Sequence, residues 1–276
     1  MISIKSYKPC LPLQNYIESF HVVENTGNQT IRHQQRVTPN GCFEINFNLG
    51  AKIYRRESNG KNQLHPEFCI GSRVTKQYFL SRKGDIKILG IRFYPWGITP
   101  FLKIKASEIS DNIFSLEEVF GNEIKTLQEQ VLNANSISDA ICAIEAHLIK
   151  KMYDIDKDDK IVTDAIKTIY TSKGHIGLQS LLLRYNISER RLQQRFQSAV
   201  GMNPKLYSRL VRFQNSLNQL KNCEMSLTTV TYLCNYFDQA HFIRDFKYFS
   251  GITPKKYLQE KHPLDDMLSL KTLAAI

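Results

Sequence analysis

The 276-residue sequence has no long apolar run of the kind that crosses a membrane, and we expect no signal peptide at its start. No stretch approaches the eighteen apolar residues of a transmembrane helix. The first residues, Met1 to Lys5, contain no apolar run that ends in a small-residue cleavage site, as a signal peptide would. We therefore expect a cytoplasmic protein that has no membrane partner.

Metal-binding and catalytic motifs are also missing. The six cysteines are scattered without a C-x-x-C pair, and the seven histidines show neither H-x-H nor H-E-x-x-H spacing. No G-x-S-x-G motif, phosphate loop or dinucleotide fingerprint is present. Because Cys42 and Cys69 have apolar neighbours, reduced buried thiols explain them better than disulfides or a zinc site. The sequence thus predicts no cofactor, no metal, no catalytic residue and no enzymatic activity.

Length and charge divide the chain into two domains. A chain of 276 residues with 42% hydrophobic and 23% charged residues is globular and longer than one ordinary domain. Residues 154–164 are acidic, whereas the segment from Lys173 to Lys261 is basic. We predict an N-terminal domain over residues 1–153, an acidic connecting segment and helix over 154–172, a C-terminal domain over 173–261 and a tail over 262–276.

The surplus of positive charge indicates an anionic partner. The formal net charge is +11, and the sequence pI is about 9.3. The segment from Lys173 to Lys261 holds fourteen Lys and Arg against five Asp and Glu. Nucleic acid fits this distribution, although basic helices that are simply solvated would show the same composition.

An internal repeat of fifty residues organises the C-terminal domain. Shifted by fifty, Leu192 falls on Phe242, and Phe196 falls on Phe246. The same shift relates Ser188 to Asp238, Gly201 to Gly251, Pro204 to Pro254, Lys205 to Lys255 and Tyr207 to Tyr257. Chance rarely produces such an ordered set of cap, apolar, Gly, Pro and Tyr positions. The domain therefore contains two copies of one structural unit.

Each copy is predicted to form a helix, a short turn and a second helix. Apolar residues with helical spacing precede each turn: Leu178, Leu181 and Leu182 in the first copy, and Leu227, Val230 and Leu233 in the second. Good N-cap residues begin the helices: Ser188, Ser226 and Asp238. The turn of a helix-turn-helix often needs one residue at positive φ, usually Gly, and Asn is the next best residue there. Asn186 and Asn235 occupy these turns.

The second helix of each copy has an apolar face and a polar face. The apolar stripes are Leu192, Phe196 and Ala199 in the first copy, and Phe242, Phe246 and Phe249 in the second. The candidate DNA-binding residues are Arg190, Arg191, Gln193, Gln194 and Gln197 in the first copy, and Gln239, Ala240, His241, Ile243, Arg244 and Lys247 in the second. Arg reads guanine and Gln reads adenine by bidentate hydrogen bonds, and small or apolar residues meet a thymine methyl. The alternative is that these side chains are ordinary solvent-facing residues.

The C-terminal segment resembles the DNA-binding domain of AraC-family transcription regulators. The resembling parts run from Asn186 to Phe196, from Asp238 to Lys247 and from Gly251 to Tyr257, together with Arg212 between the copies. The resemblance covers residues 177–257 and implies about seven helices, one of them a long helix that joins two units. It implies that both recognition helices enter successive major-groove segments. It places base readout on Arg190, Gln193, Gln194, Ala240 and Arg244, with Gln239, His241 and Ile243 nearby, and Lys255 is expected to contact phosphate.

Three features depart from the family pattern. Both turn glycines are Asn, Thr231 replaces the usual alanine in the first helix of the second unit, and Ser216 replaces an alanine on the joining helix. None of these changes removes a recognition residue. A non-Gly residue at positive φ and a hydroxyl in a tight contact are each expected to cost some stability.

The N-terminal domain is predicted to be mixed α/β, so the whole chain is an α+β protein with an all-α DNA-binding domain. Residues 42–49 alternate apolar and polar as in a strand, after a hairpin-turn signal at Asn40 and Gly41. Leu89, Ile91 and Phe93 suggest a second strand, which Pro95-Trp96-Gly97 ends. The predicted helices are 102–109, 116–120, 124–132 and 137–152, the last capped by Ser136 or Ser138.

This domain resembles, less specifically, the N-terminal domain of some AraC-type regulators. The segments concerned are 7–9, 37–44, 70–73 and 90–95, and they imply a sensor or dimerisation role. Glu44, Arg73, Arg92, Tyr94 and Trp96 are candidates for lining a pocket. The alternative is that Tyr94 and Trp96 belong to the core and that the charges form structural pairs.

These observations predict a sequence-specific DNA-binding transcriptional regulator, an activator, with double-stranded DNA and RNA polymerase as partners. A small-molecule effector of the N-terminal domain and a homodimer are further expectations. The unlike recognition faces predict an asymmetric DNA site. Two other classes stay open: a repair-type enzyme with a reactive cysteine and a DNA-binding module, and a helical protein-interaction domain with no DNA role.

Overall fold

The computed structural model describes residues 2–25, 32–56, 60, 62–71, 77–109, 112–152, 157–222 and 225–259. In these residues the strands are β1 Ile2–Tyr7, β2 Ile17–Asn25, β3 Arg32–Val37, β4 Glu44–Asn48, β5 Ile53–Arg56, β6 Asn62–Leu64, β7 Phe68–Gly71, β8 Tyr78–Lys83, β9 Lys87–Phe93 and β10 Ile113–Ser115. The helices are α1 Leu116–Phe120, α2 Ile124–Leu132, α3 Ile137–Lys151, α4 Lys157–Thr171, α5 Leu178–Tyr185, α6 Glu189–Val200, α7 Pro204–Asn222, α8 Leu227–Leu233, α9 Gln239–Ser250 and α10 Pro254–Gln259. Short 3-10 helices cover Leu11–Leu13, Thr99–Phe101 and Ala106–Glu108. An α+β protein with a sheet-rich N-terminal part and a helical C-terminal part is therefore confirmed.

Two antiparallel sheets build the N-terminal part. The six-stranded sheet has the order β1-β2-β9-β4-β7-β10, and the four-stranded sheet has the order β3-β8-β5-β6. Strand β4 lies between β9 and β7, and its Asn46 is opposite Gly90 on one side and Cys69 on the other. Since successive side chains of a strand point to opposite faces of the sheet, alternate residues of each central strand lie in two different environments, one on each face.

The face of the six-stranded sheet formed by Ile45, Phe47 and Ile91 packs against helices. These residues share a buried core with Leu127 of α2 and Ile144 of α3. Side chains of this size each contribute about 1.5–3 kcal/mol when they are fully buried. The opposite face carries the alternate residues of the same strands, and it faces the four-stranded sheet across a cavity.

Seven helices, α4 to α10, make up the described C-terminal part, and a second core lies among them. Ile166 of α4, Phe196 of α6, Phe213 of α7 and Phe246 of α9 are at most 1% exposed in this core. The 19-residue α7 runs through the middle and contacts α4, α6, α8 and α9. A long central helix that both repeats share fixes the two units to one another.

Two sequence predictions about local structure in the N-terminal part are wrong. Residues 102–109 do not form one continuous helix; within this range only Ala106–Glu108 is helical, as a short 3-10 helix, and another 3-10 helix, Thr99–Phe101, precedes the range. Asn40 and Gly41 form a turn in which Gly41 has φ +74°, but the strands on either side, β3 and β4, belong to different sheets, so the turn does not close a hairpin. The Asn-Gly signal marked a turn correctly, but it could not specify which strands the turn joins.

The loop between β3 and β4 joins the two parts of the molecule. Gly41 faces Tyr207 and Leu210 of α7, and the Nε2 of Gln214 on α7 donates a hydrogen bond to the Pro39 carbonyl. A second junction forms around Trp96, which stacks on Tyr94 and makes an edge-to-face contact with Tyr170 of α4. The N-terminal domain therefore touches both α4 and the helix that joins the two repeats.

Candidate nucleic-acid interface

The first helix-turn-helix unit consists of α5, a turn at Asn186 and α6. Asn186 has φ 47° and ψ 50°, the left-handed conformation that the turn requires. The Ser188 side chain caps α6 by accepting from the Arg191 N–H at 3.3 Å. Leu192 and Phe196 are fully buried. The opposite face of α6 is solvent-exposed and carries the predicted contact residues Arg190, Arg191, Gln193, Gln194 and Gln197.

The second unit repeats this geometry with α8, a turn at Asn235 and α9. Asn235 has φ 56°, and the Asp238 carboxylate caps α9 by accepting from the His241 N–H at 2.6 Å. Phe242, Phe246 and Phe249 are fully buried. Gln239, Ala240, Arg244 and Lys247 are exposed, and His241 and Ile243 are half-buried beside them. Both recognition helices therefore bury the large side chains of the predicted apolar stripe, while Ala199 is half-buried, and both present the predicted polar face.

The recognition face of α6 remains open although this helix also touches the N-terminal domain. Helix α6 packs near the 3-10 helix Ala106–Glu108, while Arg190, Gln194 and Gln197 stay exposed. On this face the Gln193 amide donates to the Glu189 carboxylate at 2.9 Å. This i, i+4 hydrogen bond orients Gln193 along the helix surface.

An ion pair that sequence reasoning missed anchors α9 to the joining helix. The Arg209 guanidinium of α7 donates to the Asp245 carboxylate at 2.9 and 3.2 Å, and Asp245 is 4% exposed. His241 Nε2 lies 3.8 Å from the other Asp245 oxygen. The only available signal was an acidic residue within the buried stripe of a basic helix. Asp245 positions the recognition helix from its buried side.

Arg212, which the family resemblance had singled out, holds the turn of the second unit. Its Nη1 donates to the Asn235 carbonyl at 3.4 Å, and its guanidinium lies 5.5 Å from the centre of the Tyr236 ring. Gly174 approaches Ser208 and Arg212 so closely that a Cβ at this position would clash with them. Arg212 thus supports the interface without belonging to its exposed face.

The two hydroxyls that replace alanines both have hydrogen-bond acceptors. The Thr231 hydroxyl donates to the Leu227 carbonyl at 2.7 Å, and the Ser216 hydroxyl donates to the Phe213 carbonyl at 2.7 Å. A buried hydroxyl that is hydrogen-bonded costs far less than an unpaired one. The expected stability cost of these two departures is therefore largely offset within their own helices.

The N-terminal residues that the sequence analysis grouped as pocket candidates separate in the structure. Glu44 lines the cavity between the sheets and pairs with buried Arg92, whose Nη2 lies 2.7 Å from Glu44 Oε1. This guanidinium holds the pKa of Glu44 below its usual value although burial opposes it. Tyr94 and Trp96 lie at the contact with α4 instead, and Arg73 lies outside the described residues.

Three of the described thiols, those of Cys10, Cys69 and Cys234, do not resemble activated nucleophiles. Burial raises the pKa of Cys69 to about 12 and that of Cys234 to about 11. Burial also raises the pKa of Cys10, and the nearby Glu145 carboxylate adds to this effect. Thiols with raised pKa values are almost fully protonated near neutral pH, whereas the thiolate is the nucleophile.

A helix that crosses a membrane must be both long and apolar. Among the residues that the structure describes, none of the helices combines the length and the hydropathy that a membrane span needs.

Comparison with known protein families divides the chain in the same order as the fold. Residues 181–260 match the family described as a helix-turn-helix domain, and residues 5–115 match a domain of unknown function, DUF6597. A relative, the HTH-type transcriptional regulator GbdR of Pseudomonas aeruginosa, is 29% identical over 80 residues. That match spans 29% of this chain and 22% of GbdR.

Solved structures of regulators give weaker similarities that extend over more of the chain. ToxT from Vibrio cholerae is 14% identical with a TM-score of 0.49, and the match covers 88% of this chain and 98% of ToxT. The xylose-binding transcription activator xylR is 20% identical with a TM-score of 0.34, and the match covers 44% of this chain and 38% of xylR.

Proposed function

We propose that this chain, whose C-terminal domain is a helix-turn-helix domain of the AraC family of DNA-binding regulators, activates transcription by reading two adjacent major-groove segments. One observation carries the proposal. Helices α6 and α9 each bury an apolar stripe and expose base-reading side chains, and the shared helix α7 holds them in one rigid core. A fixed spacing between two such faces suits two sites on one side of a duplex.

The exposed side chains have separable roles in this proposal. Arg190 and Arg244 read base edges, helped by Gln193 and Gln194 in the first unit and by Ala240 in the second. Lys255, exposed on α10, contacts backbone phosphate. The first unit then reads mostly by hydrogen bonds, while the second relies more on methyl contacts and shape, so the DNA site is asymmetric.

The domain boundaries, the protein partners and the location in the cell are further parts of this proposal. The DNA-binding domain spans residues 173–261, residues 154–172 connect it to the N-terminal domain, and α4 within the connection packs on the same core. RNA polymerase is the partner that an activator needs, a homodimer provides a second copy of the reading unit, and the protein acts in the cytoplasm. The tail after residue 259 lies outside the described residues.

The N-terminal domain is proposed to sense a small-molecule effector. The supporting observation is a cavity between its two sheets with a volume of about 110 Å³. Thr38, Asn40 and Cys42 line this cavity, and the same loop places Gly41 against Tyr207 and Leu210 of α7. An occupant of the cavity can therefore act on the DNA-binding domain through one short segment.

The test is selection of bound duplexes from a random pool by the full-length protein. Two unlike sequence blocks about ten base pairs apart are expected, one for each recognition helix. Affinity for the selected duplex should fall steeply as salt rises, because Lys and Arg contacts release counterions from DNA. Equal affinity for selected and scrambled duplexes would contradict sequence-specific recognition, and two identical blocks would contradict the asymmetry.

A further inference from the structure

The cavity between the two sheets is lined by several polar side chains as well as by apolar ones. Glu44, Asn46 and Asn48 of β4 face the cavity, while Ile45 and Phe47 between them face the helices. The polar half of the alternating pattern is thus turned inward, where two packed sheets normally bury apolar side chains. Polar groups kept in such a place indicate a ligand-binding function rather than a packing function.

Arg82 of β8 is the charged group in this lining for which the described residues offer no counterion. It is 4% exposed, and its Nη1 is buried without a hydrogen-bond partner among the described residues. Burial lowers the pKa of Arg82 to about 10, and no carboxylate contributes to this shift. Burying a guanidinium that lacks a partner costs free energy. The presence of Arg82 in this cavity therefore points to a bound anion that pairs with it.

The two carboxylates on the cavity wall do not fill this role. Glu44 is neutralised by Arg92 at 2.7 Å and also accepts a hydrogen bond from Asn40 at 3.3 Å. Glu67 is exposed at the rim. The Glu44 carboxylate is therefore already paired with Arg92. The positive charge of Arg82 can instead pair with a bound anion.

Around Arg82 the cavity combines apolar wall with a few polar atoms. Val23, Val37, Ile53, Leu80 and Ile88 supply the apolar surface. The Oδ1 of Asn48 is a buried acceptor without a donor in the described structure, although its Nδ2 donates to the Ala51 carbonyl at 2.9 Å. His65 also lines the cavity, and burial lowers its pKa.

One glycine makes the floor of the cavity possible. Gly90 of β9 is opposite His21 of β2 and Asn46 of β4, and a Cβ at this position would collide with the His21 ring. The missing side chain leaves room for the buried imidazole at the cavity wall. The absence of a side chain at Gly90 therefore determines the shape of this part of the cavity.

We propose that this cavity binds a small organic acid, whose carboxylate pairs with Arg82 and whose apolar body contacts Val23, Ile53 and Leu80. The volume sets the size class: at about 10–15 Å³ for each water-sized position, a cavity of about 110 Å³ holds roughly eight non-hydrogen atoms. A guanidinium suits a carboxylate because its planar donors match two oxygens at once. This ligand class rests on the proposed effector role of the N-terminal domain.

The test compares acids with their neutral amides on the full-length protein without DNA. Hexanoate and benzoate are titrated by calorimetry against hexanamide and benzamide at pH 7.5. The acids should bind at least about tenfold more tightly than the amides, as charge-assisted hydrogen bonds predict. Equal binding of acid and amide, or no binding of either acid, would overturn the proposal.

Matched variants separate a binding role for Arg82 from a structural one. Arg82→Gln should weaken acid binding at least about tenfold, Arg82→Lys should restore part of it, and Lys83→Gln, on the exposed face of the same strand, should change nothing. Unliganded Arg82→Gln should melt no lower than wild type, since it removes an unpaired buried charge. A lower melting temperature together with unchanged acid affinity would assign Arg82 a structural role and overturn the proposal.

The DNA-binding proposal is measured separately on the same variants. Arg82→Gln without ligand should bind the selected duplex as wild type does, because Arg82 lies on β8, outside both helix-turn-helix units. Loss of acid binding with intact DNA binding supports the cavity assignment. Failure of wild-type DNA recognition would count against the regulator proposal alone.

Discussion

The Asp245 carboxylate of the second recognition helix accepts hydrogen bonds from the Arg209 guanidinium of the joining helix, at 2.9, 3.2 and 3.3 Å. Asp245 is almost completely buried, and Arg209 is partly exposed above it and lies 5.0 Å from the centre of the Tyr248 ring. This salt bridge ties α9 to the joining helix α7. The orientation of the exposed face of α9 therefore depends on a contact that is made on the buried face of the same helix.

Removing either partner of this pair should destabilise the protein. Arg209→Ala leaves a buried carboxylate with only His241 nearby, and the expected loss is about 1.5–3 kcal/mol of unfolding free energy. Urea denaturation followed by circular dichroism measures it. Arg184→Ala, which removes an exposed arginine of α5, serves as the control and should change stability by less than about 0.5 kcal/mol. An unchanged denaturation midpoint for Arg209→Ala would show that the pair does not anchor α9.

Removing a base-reading side chain should weaken binding to some DNA sequences more than to others. Removing a phosphate-binding side chain should weaken binding to all sequences alike. Arg190→Ala and Arg244→Ala should each cost about 1–3 kcal/mol of binding free energy and relax preference at one base position. Lys255→Ala should weaken all duplexes equally and reduce the salt slope by about one. Titration of the selected duplex and its single-base variants distinguishes these outcomes. A base-specific loss for Lys255→Ala would count against its assignment to phosphate.

The two left-handed asparagines should tolerate glycine and reject alanine. Asn186 and Asn235 have φ 47° and 56°, where a Cβ without a compensating polar group costs about 1–2 kcal/mol. Asn186→Ala and Asn235→Ala should therefore lower the unfolding free energy by about 1 kcal/mol each. Asn→Gly at the same positions should remain within about 0.5 kcal/mol of wild type. Equal effects of alanine and glycine in thermal or urea unfolding would contradict the left-handed turns.

Glu18 should make stability depend on pH in a direction opposite to that of an ordinary salt-bridged carboxylate. Burial raises its pKa to about 7; the Arg92 charge opposes this shift, and the Glu44 charge adds to it. The folded state holds the proton between about pH 4.5 and 7, while the unfolded state releases it. Its contribution to stability is therefore complete below about pH 4.5 and is lost as pH rises through about 7.

Glu18→Gln isolates this contribution from other titrating groups. The difference in unfolding free energy between variant and wild type should grow from pH 5 to pH 7 and then level off, with the variant the more stable at pH 8. Glu129→Gln, at an exposed carboxylate of α2, serves as the matched control for the Glu-to-Gln substitution itself. A flat difference profile for Glu18→Gln would show that its carboxyl group titrates normally.

The helical half of the fold was predictable because its signals are local. Apolar residues at helical spacing, N-caps such as Ser188 and Asp238, and Asn at the two turns each act within a few residues, and the repeat doubled every signal. The Arg209–Asp245 bridge was not predictable because its partners are 36 positions apart. Only the packing of α9 on α7 brings them together.

The sheet half was less predictable because its pairings are distant in sequence. The alternation in β4 correctly predicted a strand, but not that its polar face lines a cavity, since that depends on the second sheet. Arg82 had no distinguishing sequence signal, because it lies between Ser81 and Lys83 in a strand whose partners, β3 and β5, are remote. Likewise, Tyr94 and Trp96 gave aromatic signals that fit both a pocket and a core. Their contact with α4 is set by how the domains dock.

Trp96 is the sole tryptophan of the sequence, and it lies where the two domains meet. Its indole N–H donates to the Asn15 carbonyl at 2.8 Å, its ring stacks on Tyr94 at 4.9 Å, and the Lys167 ammonium of α4 lies 5.4 Å from its centre. Indole emission depends on the polarity and charge around the ring. The unmodified protein therefore carries a single tryptophan at the contact between its domains, and this indole can be excited at wavelengths that the thirteen tyrosines do not absorb, so that its emission follows changes in domain docking.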